Sequence, residues 1–188
     1  MNKLFLIFSI LLHCCIETIG QGKGTIKKHS IKSVSISSVE YEDGSVVATK
    51  RSQNKFDNAG NVIEEIEYAK DGTIKKRESF KFNKNNDDIE HIVYNEDGTI
   101  KRKSTKKYNS SNDKVEQLNY DGKGVLIAKE IMSYNAFGEK VSEITYDGKE
   151  KIVEKIVYLY DNKGLKTERQ TYDANNKLIQ LKKFTYGF

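Results

Sequence analysis

Chemistry in a protein chain is carried by imidazoles, thiols, paired carboxylates and activated hydroxyls, and this sequence offers few of them in arrangements that act together. His13 sits in an N-terminal apolar run, which leaves His29 and His91. These two fall in segments four or five strands apart, so neither has a partner at the reach that metal ligation or proton transfer needs. A lone His91 in mid-strand reads as a surface residue. Cys14 and Cys15 lie in the same apolar N-terminal segment. No Ser-His-Asp pattern, phosphate loop or zinc spacing is present. Asp57-Asn58-Ala59-Gly60 and Asn95-Glu96-Asp97-Gly98 look like the start of calcium loops. They lack the later oxygen ligands of a full loop, and read as turns. No residue is assigned as catalytic, cofactor-binding or metal-ligating, and no enzyme activity is expected.

What remains is aromatic. Flat apolar rings flanked by amides and carboxylates suit sugar rings, whereas the same rings used as hairpin anchors would pack across strands for about 0.2 to 1 kcal/mol per pair. Function is best sought where the aromatic pattern breaks. Lys106 stands in a column otherwise occupied by Phe80, Met132, Tyr158 and Phe184, and Phe137 stands beside Gly138. The candidate ligand-binding residues are therefore Tyr108, Tyr134, Tyr160, Lys106 and Phe137.

The pattern itself is a repeat. Aromatic anchors at Phe56, Tyr68, Phe82, Tyr94, Tyr108, Tyr120, Tyr134, Tyr146, Tyr160, Tyr172 and Tyr186 are spaced alternately by 12 and 14 residues, a period of 26. Up to Tyr172, each anchor is soon followed by Asp or Asn and, four residues after it, by Gly or by Asn86, Asn112 or Asn176. Asx side chains bond their own following backbone, and Gly or Asn accepts the left-handed conformation that closes a short bulged hairpin. Glu150 breaks this rule, so the turn after Tyr146 is expected to use Gly148 instead. The seven to nine residues between turns are rich in Ile, Val, Thr, Tyr and Phe and read as strands.

Short turns between successive strands force antiparallel neighbours. The fold expected is all-β, an antiparallel meander of about 11 or 12 strands built from 26-residue hairpins, as a twisted or curled sheet. Equivalent anchors then recur every second strand, about 9.6 Å apart, in two aromatic rows. Ile74, Ile100, Leu126, Ile152 and Leu178 form one aliphatic column, and Ile66, Ile92, Leu118 and Ile144 another. Together with the aromatics they are expected to make one apolar face, with Ile100 and Ile152 packed inside it. An outer-membrane barrel is disfavoured, because no strand shows the steady apolar alternation of a lipid face.

The chain divides into an export signal at 1–20, a leader with an opening strand at 21–40, and a repeat domain at 41–188. Lys3, the apolar run from Leu4 to Leu12 and the small-residue site Thr18-Ile19-Gly20 carry the signal reading. The run is too short to span a bilayer, which needs about 20 residues, so no transmembrane anchor is expected. Lipidation at Cys14 is the less favoured alternative. Gln21 to Thr25 reads as a flexible Gly-rich leader. Cleavage would remove both cysteines and leave a secreted or periplasmic protein without disulfides. The net charge of +5 is spread among interspersed lysines and glutamates, which argues against a nucleic-acid partner.

Tyr160-Asp161-Asn162-Lys163-Gly164 and Tyr172-Asp173-Ala174-Asn175-Asn176-Lys177-Leu178 resemble the YD repeat of Rhs-type and teneurin-like proteins. The phrase is also similar to short secreted bacterial proteins made only of such repeats, including aromatic-x-aromatic steps such as Phe80-Lys81-Phe82. The resemblance runs from Tyr41 to Tyr186. It implies a spiralling β-sheet and, since related repeats are often called carbohydrate-binding, a glycan or cell-surface component as partner. The shell role of the large relatives does not transfer, for the chain has no toxin segment and is too short to enclose a polypeptide. The resulting expectation is an exported binding module with glycan as the leading ligand; the alternatives are a scaffold or protein-interaction repeat, and an enzyme whose site is invisible in sequence.

Overall fold

The computed structural model describes residues 23–187. The export signal, with Cys14 and Cys15, lies outside the described residues. A short helix α1 (Lys23–Lys28) precedes twelve strands. These are β1 (Ser33–Glu42), β2 (Ser45–Phe56), β3 (Val62–Tyr68), β4 (Ile74–Phe82), β5 (Asp88–Tyr94), β6 (Ile100–Tyr108), β7 (Lys114–Asp121), β8 (Leu126–Tyr134), β9 (Lys140–Asp147), β10 (Ile152–Tyr160), β11 (Lys166–Asp173) and β12 (Leu178–Lys183). They form one open sheet in sequence order, each strand antiparallel to the next. The meander and its strand number are as the turn spacing requires. Among the described residues, no helix is long and apolar enough to cross a membrane.

The turns show why the period holds. From Gly60 to Asn176, the residue four after each anchor has a positive φ, whether it is glycine, Asn86, Asn112, Asn176 or Glu150. The residue after the anchor commonly supplies the cap: Asp161 Oδ1 accepts N–H groups of Lys163 and Leu165, both at 2.9 Å. In two long-phrase turns Asp71 and Asp97 take over, accepting from the backbone and hydroxyl of Thr73 and Thr99. Each anchor then meets its partner strand through a one-residue register shift, as between Ser133 and Tyr134. Such a bulge sets two residues against one and strengthens local twist.

Two local expectations are corrected. The turn after Tyr146 does not use Gly148: Glu150 itself adopts the left-handed conformation at φ 61°. Gly148 is needed for a different reason, since a Cβ there would stand 2.1 Å from the carbonyl oxygen of Leu126. The Gly-rich leader is not free chain over its described part. Residues 23–28 are helical, and Ile26 is buried against Phe56, Ile31, Val34, Ile36 and Val62 as a plug on the first strands. Burial of that one aliphatic side chain outweighs the low helix propensity of Gly24.

Cross-strand partners share a face, so the pairings sort the side chains. One face, here called inner, carries Phe80 and His91, Ser104, Gln117, Glu130, Met132 and Glu143, then Ile156 and Tyr158. The outer face carries Glu64, Ile66, Ile92, Thr105, Leu118, Lys129 and Ile144. Met132, Ile156, Tyr158, His91, Ser104 and Gln117 are all buried, although α1 is the one element outside the sheet among the described residues. Among the described residues of the outer face only Glu64 and Ile66, both on β3, are buried to that degree, so the inner face is the better shielded of the two.

The expected single apolar face is therefore corrected too. The Ile66 to Ile144 column lies outside with the long-phrase anchors Tyr120, Tyr146 and Tyr172, whereas the short-phrase anchors Tyr108, Tyr134 and Tyr160 continue the inner alternation. Ile100 and Ile152, expected to be packed, are 38% and 43% exposed. They open their strands beside a turn, where a single-layered sheet has nothing to lay over them.

Glu150 is the turn residue whose conformation costs most, since a left-handed non-glycine residue is disfavoured by about 1 to 2 kcal/mol. Glu150→Gly is expected to raise stability by about 0.5 to 1 kcal/mol after the greater chain entropy of glycine is deducted, whereas Gly124→Ala is expected to lower it. Thermal unfolding of both variants checks this, and a destabilised Glu150→Gly would contradict the turn assignment.

Candidate binding face

Alternation along β6, β8 and β10 brings the short-phrase anchors Tyr108, Tyr134 and Tyr160 to the inner face, at the edge where the short-phrase turns lie, and the bulge on the following strand sets Lys114, Lys140 or Lys166 opposite each. There the tyrosines do one thing repeatedly. Tyr108, Tyr134, Tyr160 and Tyr186 donate their hydroxyls to the backbone carbonyls of Asp88, Lys114, Lys140 and Lys166, at 2.9, 2.9, 2.9 and 2.8 Å. Every ring thus clamps the start of an earlier strand, and Tyr108, Tyr134 and Tyr160 are half-buried. Adjacent short-phrase turns are stitched together as well, Asn61 Nδ2 donating to Asn86 Oδ1 and Asn85 Nδ2 to Asn112 Oδ1, both at 3.0 Å.

The clamped residues explain why the pattern breaks at Lys106. Along the row, the strand-opening residue is Lys114, Lys140 or Lys166, and the residue eighteen further on is Met132, Tyr158 or Phe184. The ammonium groups of Lys140 and Lys166 lie 5.2 and 4.6 Å from the Tyr158 ring centre. One repeat earlier the polarity is exchanged. Asp88 occupies the lysine position, and Lys106 replaces the aromatic and forms an ion pair with it. The pair is nearly buried, so neither substitution is tolerable without the other.

Between these rows runs a polar chain for which the sequence reading has no counterpart. Lys114 Nζ donates to Gln117 Oε1 at 2.8 Å, Gln117 Nε2 to Asn119 Oδ1 at 3.1 Å, and Asn119 Nδ2 to Glu130 Oε1 at 3.1 Å. Lys140 pairs with Glu143 at 2.6 Å. Burial pushes the Glu130 carboxyl above the ordinary carboxylate range, with Lys114 pulling the other way. Burial also lowers Lys114, against the pull of Glu130. Both groups are shifted towards neutrality, the signature of ionisable side chains held off solvent. Their recurrence is readable in the chain: Lys114, Lys140 and Lys166 are 26 residues apart, and Glu65, Glu78, Glu130 and Glu143 fall on multiples of 13. Only the pairing shows that they share a face.

The remaining candidates lie apart. Phe137 projects from the β8–β9 turn, 89% exposed, its N–H held by Asn135 Oδ1 at 3.0 Å. It stands on the same edge as the tyrosines without packing among them. His91 is not the surface residue expected. It is buried, stacked on Phe80 with ring centres 4.6 Å apart, and its Nε2 lies 3.2 Å from Glu78 Oε2. His29 follows α1 and is exposed.

No protein-family model and no curated protein sequence matches the chain. The fold has solved counterparts. A crystal structure titled TcdB2-TccC3-TEV matches 83% of this chain at 13% identity with a TM-score of 0.59. The Photorhabdus luminescens Tc holotoxin pore, with the TccC3-D651A mutation, covers 78% at 10% identity and 0.46. A porin-like protein from Bacteroides uniformis covers 82% at 14% identity and 0.38. The match takes in 8% of the first structure's chain, 9% of the second's and 57% of the third's. The first likeness is to the fold alone.

The clamp has a titration signature. Burial first, then the charges of Asp88 and Asp87, push the Tyr108 phenol from 10.0 up to about 12. A proton held more tightly in the folded chain stabilises it fully below pH 10, and that contribution is lost as pH rises towards about 12. Ultraviolet titration is expected to show a late-ionising phenol, with stability falling in the same window. Burial raises the Tyr134 and Tyr160 phenols as well, so Tyr108→Phe is expected to remove the latest-ionising phenol and leave those two; a titration with the same number of late phenols as the wild type would place the shifted group elsewhere.

Proposed function

We propose that this chain is an exported, non-enzymatic β-repeat module, related to YD-repeat proteins, that binds a surface component along its inner edge, with a glycan as the first ligand to test. The single observation behind this reading is that rings and polar groups alternate there in a fixed, preorganised row. Hydroxyl clamps hold the orientation of Tyr134 and Tyr160 before any ligand arrives. Lys140, Glu143, Gln117 and Asn119 offer donors and acceptors beside them. Preorganisation reduces the ordering cost of binding. The recurring turn phrase, together with the likeness of the fold to the TcdB2-TccC3 structure, supports the relation, and the apolar run at the N-terminus supports export.

The scaffold reading rests on the same hydroxyls, since each is already committed to backbone. The two readings part on substitution. Loss of one neutral hydrogen bond costs about 0.5 to 1.5 kcal/mol, so Tyr134→Phe is expected to lower stability by that much while leaving glycan affinity within about twofold. Tyr134→Ala, or Tyr160→Ala, is expected to weaken a glycan hit about tenfold, or 1.4 kcal/mol. A glycan array with the wild type precedes the variants. An empty array, or a hit that ignores both alanine variants, would favour the scaffold.

A further inference from the structure

The charges interspersed along the sequence are sorted once the chain is pleated. Inner cations such as Lys76, Lys106 and Lys140 meet acids on their own face, whereas on the outer face β4 displays Lys75, Arg77 and Lys81 and β6 displays Lys101, Lys103 and Lys107. Lys129 on β8 and Lys155 on β10 continue the series. The strands between them contribute at most one glutamate each on this face, and these are outnumbered. Glu64 is bracketed by Lys55 and Arg77 at 2.5 and 2.7 Å, and Glu90 by Lys81 and Lys103 at 2.6 and 2.5 Å. Lys81 and Lys107 remain 70% and 71% exposed, and Lys75 and Lys101 are exposed as well. The outer face is strongly cationic.

Towards β12 the same face becomes aliphatic. Ile127 on β8, Leu159 on β10, and Ile179 and Leu181 on β12 all project from it and are exposed. A surface that joins cations to exposed aliphatic side chains gains twice from one partner, an anionic lipid bilayer. Headgroups attract the lysines, and the boundary between headgroups and acyl chains takes the apolar side chains. A nucleic acid uses the charges but gains little from the aliphatics. Two of the rings on this face are already occupied by cations, Arg77 lying 4.7 Å from the Tyr94 ring centre and Lys129 5.9 Å from that of Tyr146.

We infer that the outer face docks peripherally on anionic lipid bilayers, with the β4 and β6 lysines on the headgroups and the β8, β10 and β12 aliphatics at the interface. The inference is independent of any ligand on the inner face. Sedimentation of the full chain with vesicles of phosphatidylglycerol and phosphatidylcholine, against phosphatidylcholine alone, tests it. Each lysine near an anionic surface contributes about fivefold to partitioning, so Lys75→Gln/Lys101→Gln/Lys107→Gln is expected to lower binding about 100-fold. Ile127→Ser/Leu159→Ser is expected to lower it while leaving attraction to soluble polyphosphate intact, and circular dichroism checks that both variants fold. Equal binding to neutral vesicles, or binding that survives the lysine substitutions, would overturn the inference. So would capture of polyphosphate or single-stranded DNA without vesicle binding.

Discussion

A single backbone conformation underlies this protein: a left-handed residue four positions after each aromatic anchor, capped by an Asx side chain. It closes the hairpin, and by closing it with a bulge it also decides which way the next strand's side chains point. A side-chain period of two makes that decision total, since a slip by one residue sends every side chain to the other face. Ten successive turns from Gly60 to Asn176 share the conformation. The consistency of the two faces over twelve strands follows from it, and with the faces fixed the anchors of β8 and β10 recur where their hydroxyls reach a carbonyl of the preceding strand.

The faces then divide the work. The inner one is the better shielded and holds ionisable side chains in a half-buried row, where an acid and a base of opposite shift, Glu130 and Lys114, are tied together through Gln117 and Asn119. Hydrogen-bonded polar chains of this kind hold a sheet that has little apolar core to rely on. The outer face balances part of its charge in Lys-Glu-Arg and Lys-Glu-Lys triads. The glutamates at their centres are covered while the cationic ends stay exposed, and each triad holds two cations for one acid, so positive charge is left over for a partner.

Strand number, order and turn positions are legible in the sequence, because turn chemistry is local and repeats with the anchors. Even Glu150 obeys the geometry while departing from the residue type. Burial is less legible. Ile100 and Ile152 look like core residues by type, and are half exposed because strand ends in a single layer have no neighbour above them. His91 looks like a surface residue by isolation, and is covered because Phe80 sits directly across the strand pair. Lys106 stands out as an anomaly in its column, but its meaning needs Asp88, eighteen residues away, to be seen beside it. The charges are interspersed along the chain, and it is the pleat that sorts them by face.

Bulged register is the point on which both faces depend, and it is directly observable. Cross-strand proton contacts by nuclear magnetic resonance should join Ile131 to Ile144 and Ser133 to Ser142, then shift by one to join Tyr134 to Lys140. The same shift should recur 26 residues later, with Leu159 opposite Glu168 and Tyr160 opposite Lys166. Contacts that continue unshifted, pairing Tyr134 with Val141, would mean that the turn closes without a bulge and would contradict this account of the protein.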